Sequence, residues 1–214
     1  MIVEVEINSY RAENEFINET ILAFQPNLFV SIRCLLGHTT GLKAVPFRRG
    51  SAEGYDKREA LVRYFTGILQ RNLRLKKKRF IWLAWHEFGS RKADGPLRDG
   101  GHCHLALRIP TGTIDEMGIE EVRKTVRDSV EQIKTRTDQR HGKCSWLDIA
   151  FTKHNDGKTI LIDSVDAVAA YASKWEGLHE DGSAPFKSPF ASDWDAIKRF
   201  RRIYADDESS LLTR

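Results

Sequence analysis

The sequence contains few of the residues that build disulfide frameworks and zinc ribbons. Its 214 residues include three cysteines, Cys34, Cys103 and Cys144, and no Cys-x-x-Cys pair occurs. An odd number of widely spaced cysteines implies neither a disulfide framework nor a zinc ribbon. We therefore expect a chain that works in a reducing compartment inside the cell, in the cytoplasm.

Long apolar runs and targeting segments are also missing. No apolar stretch approaches the length of about 18 residues that a membrane-spanning helix needs, so no membrane partner is expected. Residues 1–7 carry two glutamates and no basic segment, unlike a secretory signal peptide. No internal repeat or low-complexity block is apparent.

The remaining composition is typical of one soluble domain. Hydrophobic residues make up 41% and charged residues 30% of the chain, as in ordinary globular proteins. We expect residues 1–205 to form a single domain and residues 206–214 to form a flexible tail. Because the formal net charge is only +4, the distribution of cations is more informative than their total.

The apolar periodicity predicts an α+β fold with a central antiparallel or mixed sheet and helices packed against it. The predicted strands are an edge strand at 1–7, then 27–36, 80–88, 102–110 and 145–151, with 160–162 either a short strand or the start of the next helix. The predicted helices are 13–24, 56–78, 115–139, 165–175 and 194–204, and residues 180–193 are predicted to form a surface loop.

A histidine pair opens one predicted strand. Residues 100–110 read Gly-Gly-His-Cys-His-Leu-Ala-Leu-Arg-Ile-Pro. Side chains two residues apart leave the same face of a strand, so His102 and His104 point together and Cys103 points away. Two such imidazoles can bind a divalent metal when a third ligand approaches from a neighbouring strand. A pair of surface histidines is the alternative interpretation.

The preceding strand offers that third ligand. Residues 80–88 form an apolar run that ends in His86 and Glu87, and the polar segment 89–101 joins it to the histidine pair as a hairpin. The hairpin brings Glu87 or His86 beside the pair. A carboxylate at the end of an apolar strand is costly without a positive partner, and a metal would supply one. Such a site leaves positions open for water or a phosphate oxygen.

A tyrosine and a lysine form a third candidate element. In the helix predicted at 165–175, Tyr171 and Lys174 stand three residues apart and are neighbours on the helix surface. A neutral phenol, with a pKa near 10, is a poor nucleophile. Beside an ammonium group and a polarised phosphate, its attack becomes feasible. The alternative is a half-buried core tyrosine beside a lysine whose stem packs on apolar surface.

Basic residues concentrate in three segments, which are candidates for contacts with nucleic-acid phosphates. The candidates are Arg48, Arg49, Lys76, Lys77, Lys78, Arg79, Lys198 and Arg201. For the run at 71–79, a solvated helix end is the alternative. Trp82, Trp85, Trp146 and Trp175 are expected in the core rather than as platforms for base stacking.

Taken in order, these elements resemble the HUH endonucleases, and more narrowly their replication-initiator (Rep) branch. The resemblance spans about residues 27–175 and rests on the early strand, Glu87, the His-Cys-His triplet and the later Tyr-x-x-Lys. Relaxases of that superfamily place the tyrosine before the histidines, and no supporting motif surrounds Tyr10. Position 167 is alanine, so the second tyrosine that some members carry is absent.

The resemblance implies a Rep-like, ferredoxin-type sandwich and a divalent metal ion, Mg²⁺ or Mn²⁺. It implies that His102, His104 and Glu87 are the metal ligands, with His86 as a substitute for Glu87. By the same resemblance, Tyr171 is the nucleophile and Lys174 positions water or the phosphate. The segment 89–101 is unusually long and charged for a member of this family. We expect it either to cover the site or to bind DNA.

The implied activity is the nicking and rejoining of single-stranded DNA through a 5′-phosphotyrosine intermediate, to start rolling-circle replication of a plasmid or phage. The implied partners are a single-stranded origin, which can form a hairpin, and a host helicase and polymerase, since the chain has no helicase P-loop. A single-strand transposase with the same chemistry is one alternative. A non-catalytic nucleic-acid-binding module, in which histidines and a cysteine hold a structural zinc, is the other.

Overall fold

The structure is a computed structural model that describes most of the predicted elements. The described residues are 2–34, 52–75, 80–87, 102–141, 147–151, 162, 164–173 and 189–212. Within these ranges, the described side chains are those of residues 11–32, 59–75, 80–86, 103–135, 162, 164–173 and 189–203. The segment 89–101, Cys144, Trp146 and Trp175 lie outside the described residues.

Helices and strands are interleaved along the chain. In order, they are α1 (Ile2–Phe24), β1 (Leu28–Cys34), α2 (Ala52–Asn72), β2 (Ile81–Glu87), β3 (His102–Arg108), α3 (Thr111–Met117), α4 (Ile119–His141), β4 (Leu147–Phe151), α5 (Val165–Ala172), β5 (Phe190–Ala191) and α6 (Trp194–Leu212).

The described strands form one antiparallel sheet in the order β4-β1-β3-β2-β5. Strand β3 lies in the centre, where Leu107 pairs with Leu28 of β1 on one side and with Trp82 of β2 on the other. The predicted hairpin between residues 80–88 and 102–110 is confirmed by the pairing of β2 with β3.

Helices α2 and α4 cover one face of the sheet. The alternation of side chains along β1 sends Leu28, Val30 and Ile32 to this face, where they pack against both helices. The stripe predicted on the 115–139 helix is buried here, as expected, and comprises Val122, Val126, Val130 and Ile133.

Helices α1, α5 and α6 cover the opposite face. The strand residues that face them are Phe29, Leu83, Trp85 and Ala106. Helix α1 contributes Ile17, Ile21 and Phe24, at the spacing of one apolar helix stripe. The predicted class, an α+β fold with an antiparallel sheet and flanking helices, is confirmed. Among the described helices, none is long and apolar enough to span a bilayer.

The edge strand predicted at residues 1–7 is wrong, because α1 is a continuous helix from Ile2 to Phe24. Burial of Ile17 and Ile21 against the sheet stabilises the helix, and an established helix extends by one residue at little cost. A segment as short as 1–7 does not carry enough apolar periodicity to separate a strand from a helix.

The loop predicted at 180–193 is wrong at its end, where Phe190 and Ala191 form β5 and pair with Ala84 and Leu83 of β2. Ser192 extends this contact, since its backbone N–H donates to the carbonyl oxygen of Trp82 over 3.1 Å. A two-residue strand is too short to leave a pattern in the sequence.

Several helix boundaries also differ from the prediction, including the start of α2 at Ala52 rather than at 56. The helix predicted at 115–139 is two helices, α3 and α4, separated by Gly118, whose φ of +79° favours glycine. Helix α2 ends at Asn72, before most of the basic run at 71–79. Helix α6 continues to Leu212, into the segment predicted to be a flexible tail.

Candidate functional site

His104 lies at the centre of the sheet, with a cross-strand partner on each side. In the register of the strands it is opposite Ser31 of β1 and Trp85 of β2. Its side chain is only 1% exposed. Ser31, itself buried, places Oγ 2.9 Å from Nδ1 of the imidazole. This bond fixes the orientation of the ring, because a hydrogen bond at one ring nitrogen determines the role of the other.

Three aromatic rings surround the imidazole of His104. Phe29 is stacked on it, with ring centroids 5.3 Å apart and ring planes 12° apart. Trp85 contacts it at 5.5 Å, and Tyr171 meets it edge-on at 5.3 Å and 90°. The histidine and the tyrosine that the sequence singles out are therefore in direct ring contact, although 67 positions separate them in the chain.

The sequence of α5 explains how Tyr171 reaches this position. Ser164 caps the helix, with its Oγ accepting a hydrogen bond from the backbone N–H of Ala167 at 3.2 Å. Val168, Ala169 and Ala172 are buried against the sheet and α1. Tyr171 is half-buried beside this stripe, so one side of its ring packs on His104 and Phe29.

A polar contact holds the end of α5 on α1. The side-chain amide of Asn18 donates to Oγ of Ser173, 3.2 Å away. Ser173 directly follows the last residue of α5, Ala172. The helix turn that carries Tyr171 is therefore fixed from two sides, by apolar burial and by this hydrogen bond.

The backbone register places the other two predicted ligands at the same end of the hairpin. Position 87 of β2 pairs directly with position 102 of β3. Both positions share the strand parity of Trp85 and His104, so they belong to the same sheet face. The side chains of Glu87 and His102 are not among those described. Among the described side chains, no group of three potential ligands is close enough to hold a metal ion.

His86 belongs to the opposite face of the sheet and cannot substitute for Glu87 beside His104. Its Nδ1 lies 3.2 Å from Sγ of Cys103, its cross-strand partner. Its Nε2 lies 4.0 Å from a carboxylate oxygen of Glu59 on α2, and its ring packs on Phe190 at 5.2 Å. Successive strand residues point to opposite faces, so the alternation that unites positions 85 and 87 separates His86 from them.

The predicted DNA contacts are only partly within the described chain. Arg48, Arg49, Lys76, Lys77, Lys78 and Arg79 lie outside the described residues, as does Lys174. On α6, Lys198 is exposed. Arg201 instead joins α6 to α1, since its guanidinium forms an ion pair with Glu19 and lies 4.5 Å from the ring centroid of Phe16. The ion pair lies at the surface, where such contacts are weak, and the role of Arg201 in DNA binding stays a prediction.

Sequence reasoning missed the residues that hold His104 in place. Ser31 is the one polar residue between Phe29 and Ile32 in an apolar strand. A single polar residue at such a position is the sequence feature that could have indicated a contact with His104. Trp85 was expected in the core, and the structure confirms that both Trp82 and Trp85 are buried. The contact of Trp85 with His104 depends on the register between β2 and β3, which cannot be predicted from the sequence of either strand alone.

No model of a known protein family matches the sequence, and no curated protein matches it. Among solved structures, the N-terminal nuclease domain of non-structural protein 1 of minute virus of mice matches with 12% identity, covering 87% of this chain and 95% of that one. The TM-score of this match is 0.37.

Proposed function

We propose that this chain is a metal-dependent endonuclease of the HUH type, which nicks and rejoins single-stranded DNA through Tyr171. One observation carries the proposal: the ring of Tyr171 lies against that of His104, 5.3 Å away, on the sheet face to which positions 87 and 102 belong. The early strand, the histidine pair and the late tyrosine follow the order of the Rep branch, in which such an enzyme initiates rolling-circle replication.

The residues present fit a divalent metal ion at the end of the hairpin. His104, His102 and Glu87 would hold it, a set of two imidazoles and one carboxylate that leaves coordination positions open. The resemblance to the HUH endonucleases implies that the ion is Mg²⁺ or Mn²⁺. Histidines that bind metals usually donate their other ring N–H to a protein acceptor, and Oγ of Ser31 is placed to accept from Nδ1 of His104. When bound, the metal would polarise the scissile phosphate.

The chain's own residues would carry out the transfer. The phenolic oxygen of Tyr171 attacks the phosphorus atom, a new O–P bond forms, and the bond from phosphorus to the 3′ oxygen breaks. The phenol releases its proton to solvent, and the departing 3′ oxygen takes one up. The products are a 5′-phosphotyrosine and a free 3′-hydroxyl. Since one phosphodiester replaces another, the reverse attack by a 3′-hydroxyl rejoins the strand without a nucleotide cofactor.

The other predicted residues have supporting roles in this proposal. Lys174 stands three residues after Tyr171 and would position the phosphate. Exposed cations of α6, Lys198, Arg199 and Arg202, would contact the DNA backbone, as would the basic segments at 48–49 and 76–79. Such contacts raise affinity without selecting a sequence.

The decisive experiment follows both ends of a labelled strand. A random-sequence pool of single-stranded oligonucleotides, labelled at the 3′ end, is incubated with the protein and Mn²⁺ and separated on a denaturing gel. We expect the 3′ label to migrate with the protein, because the 5′ phosphate of the downstream fragment becomes attached to Tyr171. A 5′-labelled pool should give shorter free fragments.

Two substitutions complete the test. Tyr171→Phe should abolish the adduct, whereas Tyr64→Phe should retain it, because Tyr64 packs against the core of the opposite sheet face. His104→Ala should lose cleavage but keep most of its DNA binding. An adduct that persists in Tyr171→Phe would disprove the assignment of the nucleophile.

A further inference from the structure

The indole of Trp85 has a buried hydrogen-bond donor beside the candidate site. Its side chain is 0% exposed and lies opposite His104 in the strand register. The rings of the two residues are 5.5 Å apart, and Phe29 packs on Trp85 at 5.8 Å. Within the described part of the chain, Nε1 of Trp85 has no hydrogen-bond acceptor.

A buried indole N–H without an acceptor is costly, and buried tryptophans usually find a partner for it. Such an exception in a folded protein needs an explanation. The same sheet face holds a second case, since α1 carries Asn14, whose Oδ1 is buried and has no donor in the described part of the chain. An apolar side chain at either position would avoid the cost of the unpartnered polar atom.

We propose that the N–H of Trp85 donates a hydrogen bond to a non-bridging oxygen of a DNA phosphate bound beside His104 and Tyr171. This inference rests on the proposed function and assigns a binding role to a residue that the sequence placed in the core. An indole can only donate, so its natural ligand is an acceptor. Hydrogen bonds to anionic oxygens are the strongest that it can form.

The burial of the site has a consequence for binding. Trp85 and His104 are almost completely covered, whereas Tyr171 is half-buried. Binding of the phosphate therefore requires the phenol ring to move from its edge-on contact with His104. That movement opens space for the phosphate beside His104, the residue that contacts both Tyr171 and Trp85.

The chain provides a matched control on the same strand. Trp82 is also buried, but it faces the core formed with α2 and α4, where it packs edge-on against Phe190 at 5.9 Å. Trp85→Phe should lower kcat/KM for adduct formation by about 10- to 100-fold, the loss expected when a hydrogen bond to a charged group is removed. Trp82→Phe should leave kcat/KM within about twofold of the wild-type value, because it removes no contact to DNA.

A second replacement separates the N–H from the shape of the ring. Benzothienylalanine at position 85 keeps the size of the indole and replaces N–H with sulfur. It should reproduce the loss seen with Trp85→Phe, at a melting temperature close to that of the wild type. Wild-type kinetics in a folded benzothienylalanine protein would overturn the inference.

A binding measurement distinguishes this inference from the proposed function. In a ¹⁵N-labelled Tyr171→Phe protein, where cleavage is blocked, each of the five tryptophans gives one indole signal, assigned through Trp→Phe variants. Single-stranded DNA should shift the Trp85 signal downfield and leave the Trp82 signal in place. If the wild type forms adducts but DNA does not move the Trp85 signal of the Tyr171→Phe protein, only the role of Trp85 is overturned. If DNA shifts the Trp85 signal but the wild type forms no adduct, only the proposed nuclease activity is overturned.

Discussion

Replacing Ser31 with alanine tests whether this residue positions His104. The substitution removes the hydroxyl that lies 2.9 Å from Nδ1 of the imidazole. Both side chains are buried, with Ser31 6% and His104 1% exposed, so water does not replace the lost contact. Loss of a hydrogen bond between buried groups costs about 1–3 kcal/mol of stability. For a chain of this size, each kcal/mol corresponds to about 2–4 °C in melting temperature.

The effect on metal binding separates a positioning role from a structural one. Residues that orient a metal-binding histidine typically contribute about 10- to 100-fold to metal affinity. We therefore expect Ser31→Ala to require about 10- to 100-fold more Mn²⁺ for half-maximal adduct formation. Ser31→Thr keeps a hydroxyl on a side chain that suits a strand, and should restore most of the affinity.

Ser129 provides the matched control. It is 0% exposed on α4, where its Oγ donates to the carbonyl oxygen of Thr125 at 2.7 Å and accepts from Nδ2 of Asn72 at 2.9 Å. Ser129→Ala should lower the melting temperature and leave the Mn²⁺ requirement unchanged, because α4 packs on the other face of the sheet. Equal Mn²⁺ requirements for Ser31→Ala and Ser129→Ala would refute the positioning role.

The remaining predictions concern a histidine outside the site and two glycines. His86→Ala should destabilise the fold by about 1–3 kcal/mol in urea unfolding, since it removes the buried contact with Cys103. His86→Ala should not alter the adduct yield per folded molecule. A loss of adduct as large as that expected for His104→Ala would contradict the assignment of His86 to the opposite face of the sheet. Gly118→Ala should cost about 1–3 kcal/mol in urea unfolding, because φ is +79° and ψ is 148°, a conformation almost restricted to glycine, while no atom lies within 4 Å of the added methyl group. Gly112→Ala, in the exposed helix α3, should stabilise by about 0.4–1 kcal/mol, and equal effects at both glycines would contradict this account.

The sequence was sufficient for the features that depend on local periodicity. The hairpin of β2 and β3 and the buried stripe of α4 follow from apolar spacing within a single element. The edge strand predicted at 1–7 failed because that segment is short, and tertiary packing farther along α1 decides its conformation. The two-residue strand β5 depends on the neighbouring strand β2 rather than on its own composition.

The candidate site was predictable in its members but not in its geometry. Strand parity alone placed His102 and His104 on one face, and helical spacing marked Tyr171 as a residue at the edge of an apolar stripe. No local pattern could choose between Glu87 and His86 as neighbours of His104. That choice depends on the register of β2 against β3, in which Glu87 pairs with position 102 and His86 with Cys103.

The same register limits the alternative in which the histidines hold a structural zinc together with a cysteine. Cys103 belongs to the face covered by α2 and α4, where it contacts His86. Position 34 shares the parity of Ile32 and belongs to that face as well. Cys103 directly precedes His104 in β3, so the two side chains point to opposite faces in any register. Moving position 34 to the side of His104 would require a one-residue slip of β1, and such a slip exchanges the two faces of every residue in that strand. Leu28, Val30 and Ile32 of β1, all fully buried, would then lose their core positions. From the described strands, the metal proposed at His104 would therefore draw on nitrogen and oxygen ligands rather than on sulfur.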